Sequence, residues 1–487
     1  VKTEASAKGT AYRVGAIALA VAALILAMVA PLPDSILTIR GATLSPQGRA
    51  AIATLVFALV LWISEALPFH VTGLLAILVM TLLGAGGYAD IVRYGFGDDV
   101  VVFFIGVLVI AACLRRSGLA KRAGSIVLAI TGNSTRAIVL GFLVAGAFLA
   151  MWITALGSVA IIMPLALGVL TEEGEKPGES RFGTALMIAT AWGPLIGAMA
   201  TPAGSGSNPI AIRFMSEIAG YDIGFLGWMA FGVPTAIILL PAAWLIILLF
   251  FPPERRALRK SVEEIRSEAS GRLPLTRDEK SVGLIFLSTI ALWMLSPAIA
   301  HAIGMKLPIS VGALIAVVAI FAPGVSTYKW KDIEKDIDWS GILLIATGIS
   351  LGTTLYKTGA AAWVAAGILG GIGSLSIFWR LAAVSLGVFS IKVVFSSNTL
   401  TGTIIVPLVL ALGTSLGLDA RGLALAAALT ANLAVILVTT SPVNVVPYTA
   451  GYFTIRDMAK AGLALAAVSA LAIAAVVSVI GGVAGIV

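Results

Sequence analysis

Charge is scarce in this sequence: Asp, Glu, Lys and Arg make up 11% of its 487 residues, against roughly 25% in a soluble domain. Two histidines and a single cysteine, Cys113, leave no disulfide framework and no transition-metal cluster. Cys113 lies in an apolar run and reads as packing, not as a redox centre. Acids are almost missing from the apolar runs as well. An intramembrane enzyme would need a nucleophile with a base, paired carboxylates or a metal, and that class is disfavoured. No polar loop exceeds about thirty residues, so no separate soluble domain is expected.

What is abundant is apolar surface. Hydrophobic residues reach 59% and mean hydropathy is +1.05, so the solvent that accepts this chain is a lipid bilayer. Runs long enough to cross about 30 Å of hydrocarbon recur throughout. The spans are expected at 14–32, 50–67, 70–86, 100–114, 183–214 (broken), 225–251, 281–302, 308–323, 340–356, 421–446 (broken) and 461–486. The first run follows Lys2, Lys8 and Arg13, but at about 17 apolar residues it is too long for a signal-peptide core and reads as a helix. Regions 137–170 and 381–413 are too long for one helix and are broken mid-way by small polar residues. Each is expected to be two half-length helices that enter and turn back. Irregular backbone at that depth survives only inside protein or along a wet cavity. The expected fold is all-α, with about eleven transmembrane helices plus two re-entrant hairpins.

The net charge of +8 is not a nucleic-acid signal, because the basic residues interleave with the spans and follow the positive-inside pattern. Loop 253–280 carries Arg255, Arg256, Arg259, Lys260, Arg266, Arg272, Arg277 and Lys280. The N-terminus, Arg115, Arg116, Lys121 and Arg122, and then Lys329, Lys331 and Lys335, fall on the same side. That side is expected to be the cytoplasm of a bacterial cell whose inner membrane holds the protein, with the C-terminus outside.

The two halves echo each other. Leu114-x-Arg116-Ser117-Gly118-x-Ala120 returns as Leu355-x-Lys357-Thr358-Gly359-x-Ala361, and each is followed by a segment suited to the membrane interface. Arg136 precedes the first hairpin and Arg380 the second. The hairpin breaks at Thr154-Ala155-Leu156-Gly157-Ser158 and Ser397-Asn398-Thr399-Leu400-Thr401 each start ten residues before a proline, Pro164 and Pro407. Asn-containing loops follow, Thr201 to Pro209 and Thr440 to Asn444. Paired landmarks lie 241 (Arg116, Lys357), 243 (Thr154, Ser397) and 236 (Asn208, Asn444) residues apart. An odd number of crossings separates them, so the copies are inverted in the membrane. Inverted repeats with interrupted helices at matching positions point to a secondary transporter whose site lies at the repeat interface.

The interruptions expose helix N-termini, whose free N–H groups favour a small anion. The nearby carbonyls and side-chain oxygens suit a hard cation such as sodium. Candidate substrate-binding residues are Thr154, Ala155, Leu156, Ser397, Asn398, Thr399, Ser441 and Pro442. Candidate cation ligands are Thr154, Gly204, Ser205, Asn208, Ser397, Asn398 and Asn444. Gly204 and Gly206 allow close backbone approach, and Asn208 and Asn444 are placed to tie the loops back to the hairpins. The bland reading is that these residues only cap half-helices; for Ser205 and Ser207 it weighs about equally. No cationic side chain lies in the four loops. Lys392 reads either as an electrostatic lure or as a snorkelling side chain, and Glu65 as a tie between helices.

Four stretches together resemble the divalent anion/sodium symporter family, carriers of dicarboxylates, citrate or sulfate. They are Leu61-Trp62-Ile63-Ser64-Glu65-Ala66-Leu67-Pro68 with Thr72, Ser397-Asn398-Thr399 ahead of Pro407, the Asn444 loop, and Gly451-Tyr452-Phe453-Thr454-Ile455-Arg456-Asp457-Met458. The likeness covers essentially the whole chain. It implies a homodimer with a scaffold and a moving transport domain, an elevator motion, and sodium as coupling ion with no other cofactor. On that pattern 1–99 and 225–339 are scaffold, 100–224 and 340–460 are transport regions, and 461–487 is a last helix. The sequence departs from the family where the first hairpin has Thr154-Ala155-Leu156 in place of Ser-Asn-Thr, losing an amide and a hydroxyl. Altered substrate or altered coupling follows from that departure. The leading expectation is sodium-coupled uptake of a C4-dicarboxylate, and the alternative is a sodium-independent exchanger or a carrier of another small anion such as sulfate. A passive channel is disfavoured, because hairpins entering from both sides block a continuous pore.

Overall fold

The computed structural model describes residues 2–39, 41–129, 132–258, 274–305, 307–369, 374–416 and 419–486. The expected basic residues Arg259, Lys260, Arg266 and Arg272 lie outside them. Apart from a two-residue strand pair, Thr38–Ile39 with Ala42–Thr43, the named elements are helices. Among the described residues, nine helices are long and apolar enough to cross a membrane.

Helices form near most of the expected positions, and their ends have local causes. Pro46–Ser64 starts on the Ser45 hydroxyl, which accepts from Gly48 N at 2.9 Å. Arg277–Ile303 starts on a reciprocal Thr276–Glu279 capping box, and Ile455–Ala484 on another between Thr454 and Asp457. Two expected crossings are shorter than expected. Phe69–Leu82 and Ile309–Phe321 have 14 and 13 residues, only about 20 Å at 1.5 Å per residue. Pro68 and Pro308 fix their starts; the first ends at Gly84, which adopts φ 75°, and Pro323 follows the second. Two short helices, Tyr88–Phe96 and Leu119–Ala129, were not among the expected spans; the second occupies the segment expected along the interface.

The hairpins correct the expectation of half-length arms. Thr135–Ile153 and Ala155–Glu172 contain 19 and 18 residues, each about 28 Å long. A single residue, Thr154, separates them. Pro164 stays inside its helix, since a membrane helix can re-satisfy the carbonyl that proline frees. The arms are antiparallel neighbours: Ser158 Oγ donates to the Gly146 carbonyl at 2.8 Å across the pair. In the second hairpin Ile377–Lys392 and Asn398–Leu416 are joined by the non-helical stretch 393–397.

Packing interlocks the two halves. Ser207–Ala219, from the first half, lies against Asn398–Leu416 of the second hairpin, and Pro442–Tyr448, from the second, lies against Ala155–Glu172 of the first. Small residues permit the close approach. A Cβ on Gly193 or Gly197 would overlap the Leu143 or Ala147 backbone of the first hairpin. An ion pair between the buried Asp98 and the half-buried Arg213 ties the start of Asp99–Ser117 to Ser207–Ala219. By contrast, Phe225–Phe250, Arg277–Ile303 and Ile309–Phe321 turn Leu245, Leu249, Leu284, Leu287 and Val318 outward. That outer apolar belt is the face a bilayer solvates.

Candidate functional site

The two hairpin turns are built alike. Thr154 Oγ1 accepts from Gly157 N at 3.4 Å, and Ser397 Oγ accepts from Leu400 N at 3.3 Å. Each turn hydroxyl therefore reaches an N–H three residues on, the geometry of an N-cap. Thr154 reverses the chain in one step at φ 71°, ψ 157°. A threonine held there costs about 1–3 kcal/mol, so the surrounding packing imposes this turn.

The Asn loops are alike too. Asn208 Nδ2 donates to the carbonyls of Ala198 (2.8 Å) and Thr201 (2.7 Å), ten and seven residues earlier. Asn444 Nδ2 donates to Ala434 (2.5 Å) and Leu437 (3.1 Å), again ten and seven residues earlier. Both side chains are wholly buried. They hold the interrupted backbone, and each interruption is stabilised by the amide of the helix that follows it.

The interruptions meet at one cavity of about 700 Å³. Its wall includes Thr154, Ala155 and Leu156 of the first hairpin, Ser397, Asn398 and Thr399 of the second, Gly204 and Ser205 of the first loop, and Ser441 and Pro442 of the second. Gly206 is what lets the first loop reach the second hairpin: a Cβ there would sit 2.8 Å from Thr399 Oγ1. Asn208 and Asn444 are not in the wall. They lie behind it, and the first is joined to the second hairpin through Asn432. Asn432 Nδ2 donates to Asn208 Oδ1 at 2.7 Å, Ser207 Oγ donates to Asn432 Oδ1 at 3.1 Å, and Asn398 Nδ2 donates to the Asn432 carbonyl at 3.2 Å.

Three residues of this region were missed or misread from the sequence. Arg115 lines the cavity; its Nη2 donates to the Asp336 carbonyl at 3.1 Å, and its Nη1 lies 3.2 Å from where a Gly157 Cβ would stand. A cation thus stands over the first turn, although none occurs within the four loops. Its neighbour Arg116 pairs with Asp336 at 2.6 Å, and Asp338, Ser340 and Gly341 complete that end of the cavity. Lys392 neither snorkels nor faces the cavity: it is 2% exposed, and its Nζ donates to Asn398 Oδ1. Asn432, the junction of the two halves, carries no sequence mark beyond being an amide in an apolar run. Glu65 does tie elements together, accepting from Ser396 Oγ at 3.1 Å.

Chemically the wall offers hydroxyls, amides and backbone, with Arg115, Asp336 and Asp338 at one end. That set can hold a small anion through neutral donors and one guanidinium. A hard cation needs oxygen ligands, and Asn444 Oδ1 is a fully buried acceptor with no hydrogen-bond partner. An orphaned carbonyl oxygen beside an interrupted helix fits an alkali cation.

Comparison with known proteins agrees in extent and in fold. The family model described as the sodium:sulfate symporter transmembrane region matches residues 14–486. The chain is 27% identical to a sodium-dependent dicarboxylate transporter, SdcS, of Staphylococcus saprophyticus, over 86% of this chain and 83% of that one. It is 26% identical to SdcS of Staphylococcus aureus, over 85% and 82%. It is 29% identical to an uncharacterized transporter of Haemophilus influenzae, over 88% and 91%. Among solved structures, Neisseria gonorrhoeae MtrF, described as illuminating a class of antimetabolite efflux pumps, superposes with a TM-score of 0.55 at 10% identity over 84% of both chains. That likeness concerns the fold alone.

Proposed function

The chain belongs to the sodium:sulfate symporter family, a membrane transporter and not an enzyme, and from that premise we propose that it carries small divalent anions by secondary active transport. The preferred reading is sodium-coupled uptake of a C4-dicarboxylate such as succinate or malate, through an elevator motion of a transport domain against a scaffold. The convergence of four helix interruptions on one cavity carries this reading. Neutral hydroxyls and amides grip a dianion well enough to load it and weakly enough to release it.

The proposed transport domain comprises 100–224 and 340–460, the proposed scaffold 1–99 and 225–339, and the last helix 461–487 completes the fold; two such chains form a homodimer. The matched cap and Asn patterns at separations of 243 and 236 residues support an inverted repeat. The hairpins are re-entrant in this reading. With the basic loops in the bacterial cytoplasm, the N-terminus is inside, the C-terminus outside, and the end of the cavity at Arg115 and Asp338 opens inward.

A second reading, an exchanger or a carrier of sulfate, is favoured by one observation: the first turn presents Ala155 and Leu156 to the cavity where the second presents Asn398 and Thr399. Uptake of labelled succinate into proteoliposomes separates the two. Accumulation driven by a sodium gradient is expected. Uptake that needs internal anion and ignores sodium establishes exchange, and binding of sulfate without any dicarboxylate overturns the substrate assignment.

A further inference from the structure

Behind the first hairpin turn lies another cavity, about 190 Å³, between Leu119–Ala129, the first arm of that hairpin and Arg277–Ile303. Its lining is aliphatic and aromatic throughout. Leu149 and Ile153 form its buried side, and Ile153 immediately precedes the turn residue Thr154. In its wall Trp152 and Phe286 meet edge to face with ring centroids 5.4 Å apart, which joins the hairpin arm to Arg277–Ile303. Gly283 lets that helix come close to the start of Leu119–Ala129: a Cβ there would sit 3.2 Å from Leu119 Cδ1. The other side of the groove faces the bilayer, because the lining residues Phe148 and Leu287 are 45% and 64% exposed and Leu287 belongs to the outer apolar belt.

An apolar groove stays dry, whereas an acyl chain that enters it gains the dispersion contacts an empty space forfeits. Charge selects which lipid stays. Lys121 follows the lining residue Ala120, and Lys280 lies one turn before Gly283 on the same helix face; both are exposed. The acids beside them are engaged: Glu279 pairs with Arg122 at 2.9 Å, and Asp278 Oδ1 accepts from Thr327 N at 2.9 Å. We propose that this groove binds an anionic phospholipid, with one acyl chain in the groove and the phosphate headgroup at Lys121 and Lys280. Basic groups beside an apolar cleft between membrane helices recognise such headgroups. The bound chain packs against Ile153, one residue from Thr154, so the lipid braces the first turn. It does so whichever anion the protein carries.

The test is quenching of tryptophan fluorescence by brominated acyl chains in reconstituted liposomes, with the contribution of Trp152 taken as the difference between wild type and Trp152→Phe. Brominated phosphatidylglycerol should quench Trp152 half-maximally at a mole fraction at least about fivefold below that of phosphatidylcholine with the same chains. Replacing both lysines, Lys121→Gln with Lys280→Gln, should erase that preference. Ala123→Leu, which fills the groove, should remove quenching of Trp152 by either lipid. Equal quenching by the two lipids in wild type, a preference that survives loss of both lysines, or quenching undiminished by Ala123→Leu overturns the proposal. So does a Trp152 that neither lipid reaches; cross-linking of two chains through Leu287→Cys would then assign the groove to a second copy of the protein. If Ala123→Leu does not fold, the double lysine variant decides alone.

Discussion

Thr399 lines the cavity and faces Gly206 of the first loop, where a Cβ would sit 2.8 Å from its Oγ1. Its replacement by Ala should cut succinate uptake at least tenfold, about 1.4 kcal/mol of lost stabilisation, with the melting temperature unchanged. Normal uptake by Thr399→Ala in proteoliposomes would remove it from the site. Asn432 is the opposite case, wholly buried and bonded to Asn208, Ser207 and Asn398. Asn432→Leu strands several buried polar groups, at about 1–3 kcal/mol each, so it should lower the melting temperature sharply whether or not ligand is present. Polar residues at the interruptions were legible in the sequence because hydroxyls and amides have few reasons to sit mid-membrane. Arg115 and Lys392 were not. Nothing in the order of residues says that Arg115 turns over Gly157 while Arg116 pairs with Asp336, or that Lys392 folds inward instead of toward the surface.

At the scale of elements, helix Arg181–Ala198 leads into the first Asn loop, and its start is held from elsewhere. Glu254 accepts from Arg181 N at 2.5 Å and Phe182 N at 3.1 Å, beside the Ser180 cap. Burial raises the Glu254 carboxyl, but the backbone N–H groups of Arg181 and Phe182 outweigh it and leave the pKa below the ordinary value. A lowered folded pKa gives stability that is present above the usual glutamate pKa of about 4.3 and lost as pH falls through the folded value. Glu254→Gln should therefore lower the melting temperature at pH 7, and by progressively less as the pH falls below the usual glutamate value; an equal loss at every pH would refute the assignment. Helix positions were legible from apolar length. The arms of the first hairpin were not, because a one-residue turn at Thr154 interrupts the helix without shortening either side. Thr154→Gly offers the matching check. It relieves the backbone strain and deletes the cap, so stability should change little while succinate binding weakens.

For the whole molecule, the halves are joined through Ser207, Asn208 and Asn432 at the centre and by the crossed packing of Ser207–Ala219 and Pro442–Tyr448. That joint was only partly readable: the echoing landmarks pointed to matching stretches in the two halves, but not to Asn432 as the residue that bonds one half to the other. The chain's lone thiol, Cys113, lies inside Asp99–Ser117 with no exposed surface. Water-soluble maleimides should therefore leave the native protein unlabelled. Leu156 is 47% exposed in the cavity wall, so Leu156→Cys makes one reachable sulfur without first stripping any others. Reagent sealed inside vesicles and reagent added outside would then race for a single atom, and the winner in each salt reports which way the molecule is facing.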